Sequence, residues 1–357
     1  MSETNTEKQP SSEIPKENTE DLGLIDGDML VTNETLIFQV FGYLHPPGKA
    51  TVYLRYVPAN LVPLVPLNYE QTTWKYEGVT LARPQTMYSP QDLQIQLEAF
   101  RRNFPNYLFD DPYSAKTLIA IPRSKIRYVV KPQEAFRRLL EKKSLDPLEA
   151  TAARLVDTLS KNSNVAAKDF GLHGSLSLGM HRDFSDIDLT IHGGNNYREV
   201  HQTVSVLAEQ GILKILDSEK FDALRRNKGI FEGRQFVINA VRAQEEVAEK
   251  YGQFNFRPLR HTGFTARVIN DDESHFKPAV YQVDDFKEKN EGVPPQSPRH
   301  VVSMVSLYRG LVKRGQKMKG EGQIEIVEET NGRSYYTRVV IGTGDLQYKE
   351  YLYPAEA

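Results

Sequence analysis

From about residue 24, apolar and polar positions alternate with the period of half-buried strands. Leu36-Ile-Phe-Gln-Val-Phe-Gly-Tyr and Thr51-Val-Tyr-Leu-Arg-Tyr-Val flank the turn His45-Pro46-Pro47-Gly48-Lys49, which predicts a hairpin. The period then lengthens. Ser89-Pro90 starts a helix, with serine as cap and proline in the first turn, and Leu93, Leu97 and Phe100 fall on one face. A second helix begins at Pro132. A third is fully specified: Asp146 caps it, Pro147 opens it, Glu149 completes a capping box, and Leu148, Ala152, Leu155 and Leu159 form its stripe.

A mixed pattern follows. It predicts a strand near 168–173, a turn at Gly174-Ser175, a strand near 186–192, and a helix from Tyr197 to about Gln210 bearing Val200, Val204 and Leu207, with Gly211 ending it. Phe221 to Arg226 reads as helix, the run around Val237 as strand, and Glu245 to Tyr251 as a short helical exit. Beyond Gly263 strands return at Phe264–Ile269, Pro278–Val283, Gln323–Val327 and Tyr335–Ile341. Val301–Val312 fits strand or helix and is read as strand. The class expected is α+β in four parts: a disordered tail (1–23), a β-rich N-terminal region with a helix (24–131), a core of mixed sheet with helices (132–260), and a β-rich, barrel-like C-terminal domain (261–357).

Charge changes this picture at one end. Residues 1–22 hold six acids (Glu3, Glu7, Glu13, Glu17, Glu20, Asp21) against Lys8 and Lys16, and are otherwise mostly small and polar, a composition unable to bury enough surface to order itself. The whole chain of 357 residues carries a formal −2, so the remainder is mildly basic, with clusters at Arg123–Lys131, Arg137–Lys143 and Lys313–Lys319. Such clusters are most often solvated faces. No apolar run is long enough for a membrane span and no secretory signal is visible, so no membrane partner and a cytoplasmic location are expected. The absence of cysteine removes disulfides, thiolate catalysis and cysteine zinc sites.

The chemistry concentrates between Gly174 and Asp188. Asp186 and Asp188, two apart in the β-branched run Asp-Ile-Asp-Leu-Thr-Ile, project from one face of a strand. Two carboxylates held side by side call for a cation, and a hard divalent ion such as Mg²⁺ takes one or two of them and completes its shell with substrate phosphates. Upstream, Gly174-Ser175 reads as a turn opening a short helical segment, Leu176 to Met180, a natural seat for phosphate oxygens. Arg182, in the loop between, adds a cation for phosphate charge. Three histidines, His173, His181 and His192, surround the motif without metal-ligand spacing; His173 has a substrate-facing alternative, and the other two read as loop residues.

Gly174, Ser175, a gap of ten, then Asp186, Ile187 and Asp188 resembles the signature of the DNA polymerase beta-like nucleotidyltransferase superfamily, with His173 where that signature has an apolar residue. The resemblance covers about residues 145–245. It implies a nucleotidyltransferase-like mixed sheet and Mg²⁺- or Mn²⁺-dependent transfer of a nucleoside monophosphate from a nucleoside triphosphate to an acceptor hydroxyl, with release of pyrophosphate. Asp186 and Asp188 would be metal ligands, and Gly174, Ser175 and Arg182 would hold the triphosphate. The acceptor stays open, with an RNA or DNA end among the candidates. The superfamily's third carboxylate is expected on Arg234–Val241, which carries no acid. Asn239 stands where it is sought; Glu232, just ahead of the strand, is taken as the acid that reaches in, with Asp217 and Asp222 of the preceding segment as alternatives. The alternative is a catalytically impaired nucleotide- or nucleic-acid-binding module that keeps the fold.

Overall fold

The computed structural model describes residues 23–86, 89–289, 296–332 and 334–355, and the acidic stretch 1–22, expected to be disordered, lies outside the described residues. Three β-sheets follow one another along the chain. The first contains β1 (Met29–Thr32), β2 (Ile37–Val40), β3 (Lys49–Pro58), β4 (Tyr69–Tyr76), β5 (Val79–Pro84), β6 (Leu108–Asp111), β7 (Lys116–Pro122) and β8 (Ile126–Val130). The expected hairpin is β2–β3, antiparallel from Ile37↔Tyr56 to Val40↔Val52. Helix α1 (Pro90–Asn103) carries the Ser89 cap, whose hydroxyl accepts from the Asp92 amide, and buries Phe100 in the same core as Phe38 and Tyr107.

Two helices lead into the second sheet: α2 (Pro132–Leu140) and α3 (Pro147–Ser163). The capping box of α3 forms as expected, Asp146 accepting from the amides of Leu148 and Glu149 while Glu149 accepts from Asp146. A box of this kind satisfies donors that a helix start otherwise leaves orphaned. The sheet then comprises β9 (Phe170–Leu172), β10 (Ile187–His192), β11 (Lys214–Ile215), β12 (Lys228–Phe231) and β13 (Arg234–Val241), in the order β11-β12-β13-β10-β9. Among the described residues of this sheet only β10 and β13 run parallel, from Ile187↔Phe236 to His192↔Val241. The short α4 (Gly174–Ser177) joins β9 to β10, while α5 (Gly194–Glu209) and α6 (Lys220–Arg225) lie in the crossover from β10 to β13.

Strand alternation gives this sheet two different faces. Ile187, Leu189, Ile191, Phe236, Ile238 and Ala240 point into one apolar core with Leu155 of α3 and Val200 and Val204 of α5. Asp188, Thr190, Val237, Asn239 and Val241 point the other way, toward the first sheet and the C-terminal unit.

That unit is β14 (Phe254–Asn270), β15 (Ala279–Glu288), β16 (His300–Ser303), β17 (Lys317–Glu329), β18 (Tyr335–Ile341) and β19 (Tyr351–Pro354). Pairing of β14 with both β15 and β17 closes a ring β14-β15-β16-β18-β17, a five-stranded barrel, with β19 laid along β17. The mixed α+β class and a closed β-barrel at this end are therefore what the chain forms. Closure leaves β14 and β17 without a free edge along their paired lengths.

Three local readings change. The helical exit at Glu245–Tyr251 is a single 3₁₀ turn, Gln244–Glu246. β14 begins at Phe254, well before Gly263, because its first half pairs with β17, Pro258 being accommodated where the register shifts. The ambiguous run Val301–Val312 is strand only to Ser303; a 3₁₀ turn at Ser306–Tyr308 then carries Arg309 toward the second sheet. Among the described residues no helix is long and apolar enough to cross a membrane. Within the Arg137–Lys143 cluster, Arg137 pairs with Glu141, Arg138 with Glu134 and Lys142 with Glu149, which spends much of its charge on the protein itself.

Candidate functional site

At the N-terminal end of β10 the local sequence brings Gly174 and the two aspartates together. β9 pairs antiparallel with β10, and the His173 amide donates to the Asp188 carbonyl at 2.9 Å, so the turn that follows β9 folds back over Asp188. Gly174 has φ +63°, and a Cβ built there would lie 2.3 Å from Asp188 Oδ2. Glycine is required twice over, for the left-handed backbone and for the approach of a carboxylate to its Cα. Ser175 follows, half-buried in α4. We expect Gly174→Ala to lower stability by about 1–2 kcal/mol from the left-handed backbone alone, read by denaturant titration, with added loss from the displaced carboxylate. An unchanged titration would remove the close approach from the site.

Asp186 is exposed just ahead of β10 and Asp188 is half-buried within it. Burial, then repulsion from Asp186, raise the Asp188 carboxyl to about 6, with Arg55, Arg83 and Lys228 pulling the other way. A carboxylate raised by burial and a like neighbour is one that a cation would return to its ionised form. Hard oxygen donors at this spacing fit a divalent ion such as Mg²⁺.

Asp188 also forms one wall of a cavity of about 110 Å³ that all three sheets enclose. From the first sheet come Asp26, Gln39, Tyr53 and Arg55; from the second, His173, Thr190 and Asn239; from the barrel, Lys277 and Arg309. Lys277 Nζ lies 3.5 Å from Asp26 Oδ2 and donates to the Tyr53 hydroxyl at 3.3 Å. Arg309 Nη2 donates to Asn239 Oδ1 at 3.0 Å, and Asn239 Nδ2 donates to the Leu189 carbonyl at 3.3 Å.

The remaining expected residues distribute unevenly. Arg182 is exposed and its guanidinium donates to the Thr73 carbonyl of β4, while its amide donates to Ser185 Oγ at 3.0 Å. Glu232 sits with φ +47° in the turn between β12 and β13, at the end of the sheet where β10 begins, and takes a bidentate grip from Arg154 of α3, 2.6 Å at its closest. The structure thus brings Gly174, Asp186, Asp188 and Asn239 to one face and holds Glu232 on α3. His173 lines the cavity, buried, its ring pushed well below the usual histidine range by burial and then by Arg55, Lys277 and Arg309. Its Nε2 has no hydrogen-bond partner among the described residues. His192 is buried in β10 and lowered to about 4 by burial and Lys131, so the reading of it as a loop residue is corrected.

His181 completes a second group with Asp146 and Glu149, whose ligand atoms lie within 4.8 Å of one another. Their oxygens are already committed: Asp146 accepts two backbone amides and His181 Nε2 at 2.6 Å, and Glu149 accepts the Asp146 amide and Lys142. This arrangement anchors a helix start to the loop before β10.

Sequence reasoning missed Arg55, Asp26, Lys277 and Arg309. Arg55 alone left a signal, as a cation in the strand run Thr51–Val57 on the same face as Tyr53.

No protein-family model and no solved structure match the chain. The chain is similar to a curated protein of Methanocaldococcus jannaschii named "Uncharacterized protein MJ1086", 26% identical over 348 residues, which cover 91% of this chain and 97% of that protein.

Proposed function

We propose that the chain is a metal-dependent nucleotidyltransferase, moving a nucleoside monophosphate from a nucleoside triphosphate to an acceptor hydroxyl and releasing pyrophosphate. The observation that carries this reading is the packing of the Asp188 carboxylate against the Cα of Gly174 with Asp186 beside it. Three features that are separate in sequence converge there in the way triphosphate chemistry needs. An open five-stranded mixed sheet with α3 and α5 on the far face supports the further reading of a nucleotidyltransferase-like core.

In this reading Asp186 and Asp188 hold Mg²⁺, which when bound supplies charge neutralisation for attacking and leaving oxygens. Gly174 and Ser175 present backbone to the leaving phosphates. Arg55 and Arg83, whose fields already act on Asp188, favour accumulation of negative charge on the transferred group. The test is pyrophosphate release and label transfer from each labelled triphosphate with Mg²⁺ or Mn²⁺, with total RNA and with small hydroxylated acceptors. No release and no transfer under any combination would reject the reading.

The binding-module alternative keeps one specific support. β13 carries no acid, and Asn239, an amide that cannot act as a base, is committed to Arg309 and Leu189. If Glu232 is the missing base it must leave Arg154, and Glu232→Gln then lowers turnover by about 10²–10⁴. If the Arg154 pair is its whole role, Glu232→Gln leaves turnover nearly unchanged, because an exposed ion pair away from the reacting groups contributes little. From the observed pairing we expect the second result; steady-state kinetics decide it.

A further inference from the structure

The interior shared by the three sheets contains more buried positive charge than the protein neutralises. Arg55, Arg225, Lys277 and Arg309 are all less than 10% exposed. Asp26 answers Lys277, and Asp188 faces Arg55. Among the described residues neither Arg225 nor Arg309 forms an ion pair. The two face each other across a hollow that shares Arg309 and Asn239 with the larger cavity. A guanidinium does not shed its proton, and burying one without an anion is costly. Two further polar atoms wait at the larger cavity, His173 Nε2 and Gln39 Oε1, both buried with no hydrogen-bond partner among the described residues. Polar groups left bare in a cavity roomy enough for several waters signal a missing occupant.

We infer that this cavity is a binding site for a compact phosphorylated alcohol, its phosphate gripped by Arg309, Lys277 and Arg55, while Gln39 Oε1 and His173 Nε2, both acceptors, are left to receive a hydroxyl proton. Its size sets the class of ligand. About 110 Å³ falls well below the roughly 300–1,000 Å³ that encloses a drug-sized molecule. The cavity therefore suits one phosphate with a few attached atoms, and a larger ligand would place only a phosphate end inside it. Because Asp188 is one of the walls, a molecule anchored there by its phosphate presents its neighbouring hydroxyl to the aspartate pair. The acceptor is then a small phosphorylated alcohol. This assignment rests on the transferase reading for the role of the anion, and on the cavity alone for its binding.

The experiment is calorimetric titration of inorganic phosphate into the full chain at fixed ionic strength, without metal or nucleotide. Saturable binding to one site is expected, weakened at least tenfold in Arg309→Met and in Lys277→Met, and retained in Asp188→Asn. Should either methionine variant fail to fold, Arg309→Gln and Lys277→Gln, which remove the charge and keep a polar side chain, provide the same comparison. Absence of saturable binding, or equal affinity in the folded cavity variants, overturns the site. Repeating the titration with protein saturated by Mg²⁺ and a triphosphate separates the two sources of phosphate. Undiminished binding supports the acceptor, whereas competitive loss assigns the cavity to the triphosphate tail and overturns the acceptor role. Retention in Asp188→Asn keeps the result independent of nucleotide chemistry: phosphate can bind where the transferase reading fails, and the reverse.

Discussion

Asp188→Asn is expected to abolish Mg²⁺-dependent triphosphate binding and to cut pyrophosphate release by about 10³-fold or more, the worth of several kcal/mol of metal-borne charge stabilisation at 1.36 kcal/mol per tenfold. The same substitution should make the free protein more stable. Burial and Asp186 raise the Asp188 carboxyl from 3.8 to about 6, so at pH 7 its ionised form opposes folding by at most about 3 kcal/mol. That opposition is complete above about pH 6 and gone below about pH 4. The amide removes it, and the melting temperature of the metal-free variant should exceed that of the wild type at pH 7 and match it near pH 4. Loss of melting temperature at pH 7, or triphosphate affinity equal to wild type, would remove Asp188 from the centre of the site.

The second large effect lies in the first sheet and concerns stability alone. Asp28 is 1% exposed; Oδ2 accepts the Ile25 amide at 3.2 Å, and Oδ1 has no partner among the described residues. Burial raises its carboxyl from 3.8 to about 7, Asp26 adding to the shift while the Ile25 amide and Lys131 oppose it. A group raised in the folded state contributes stability that is fully present below about pH 4 and is lost as pH climbs through 7. The loss amounts to about 4 kcal/mol at 1.36 kcal/mol per unit. Asp28→Asn should therefore raise the melting temperature strongly at pH 8.5 and leave it nearly unchanged at pH 4.5. Parallel wild-type and variant curves of melting temperature against pH would show instead that the carboxyl titrates as in water.

What could be seen in the chain beforehand was local. The start of α3 was legible because Asp146, Pro147 and Glu149 act within four residues, and the convergence of Gly174 with Asp188 because a turn and a strand separated by a short loop have few ways to meet. The cavity was not legible. Arg55 on β3 is more than 200 residues from Lys277 and Arg309 in the chain, and only the docking of three sheets places them around one space. Asn239 shows the boundary between the two kinds of information. Its strand and face follow from alternation, but its engagement with Arg309 depends on a 3₁₀ turn in a run whose pattern suited a longer strand. Glu232 lay near in sequence to β13, yet an arginine one helix away decides its direction.

The closed ring of the barrel has a consequence for how the chain holds together. Lys277 lies in the connection between β14 and β15 and Arg309 just past the 3₁₀ turn after β16, so both cations are presented by short connections of the closed ring. An anion held as inferred above would touch residues of all three units at once. A ligand at a hundredfold its dissociation constant would add about 2.7 kcal/mol to the assembled form, and that increment falls on the seam among the three units. Because Met29 and Tyr56 of the first sheet already share one core with Leu155 and Ile187 of the second unit, it is the attachment of the barrel, through Lys277 and Arg309, that such a ligand would strengthen.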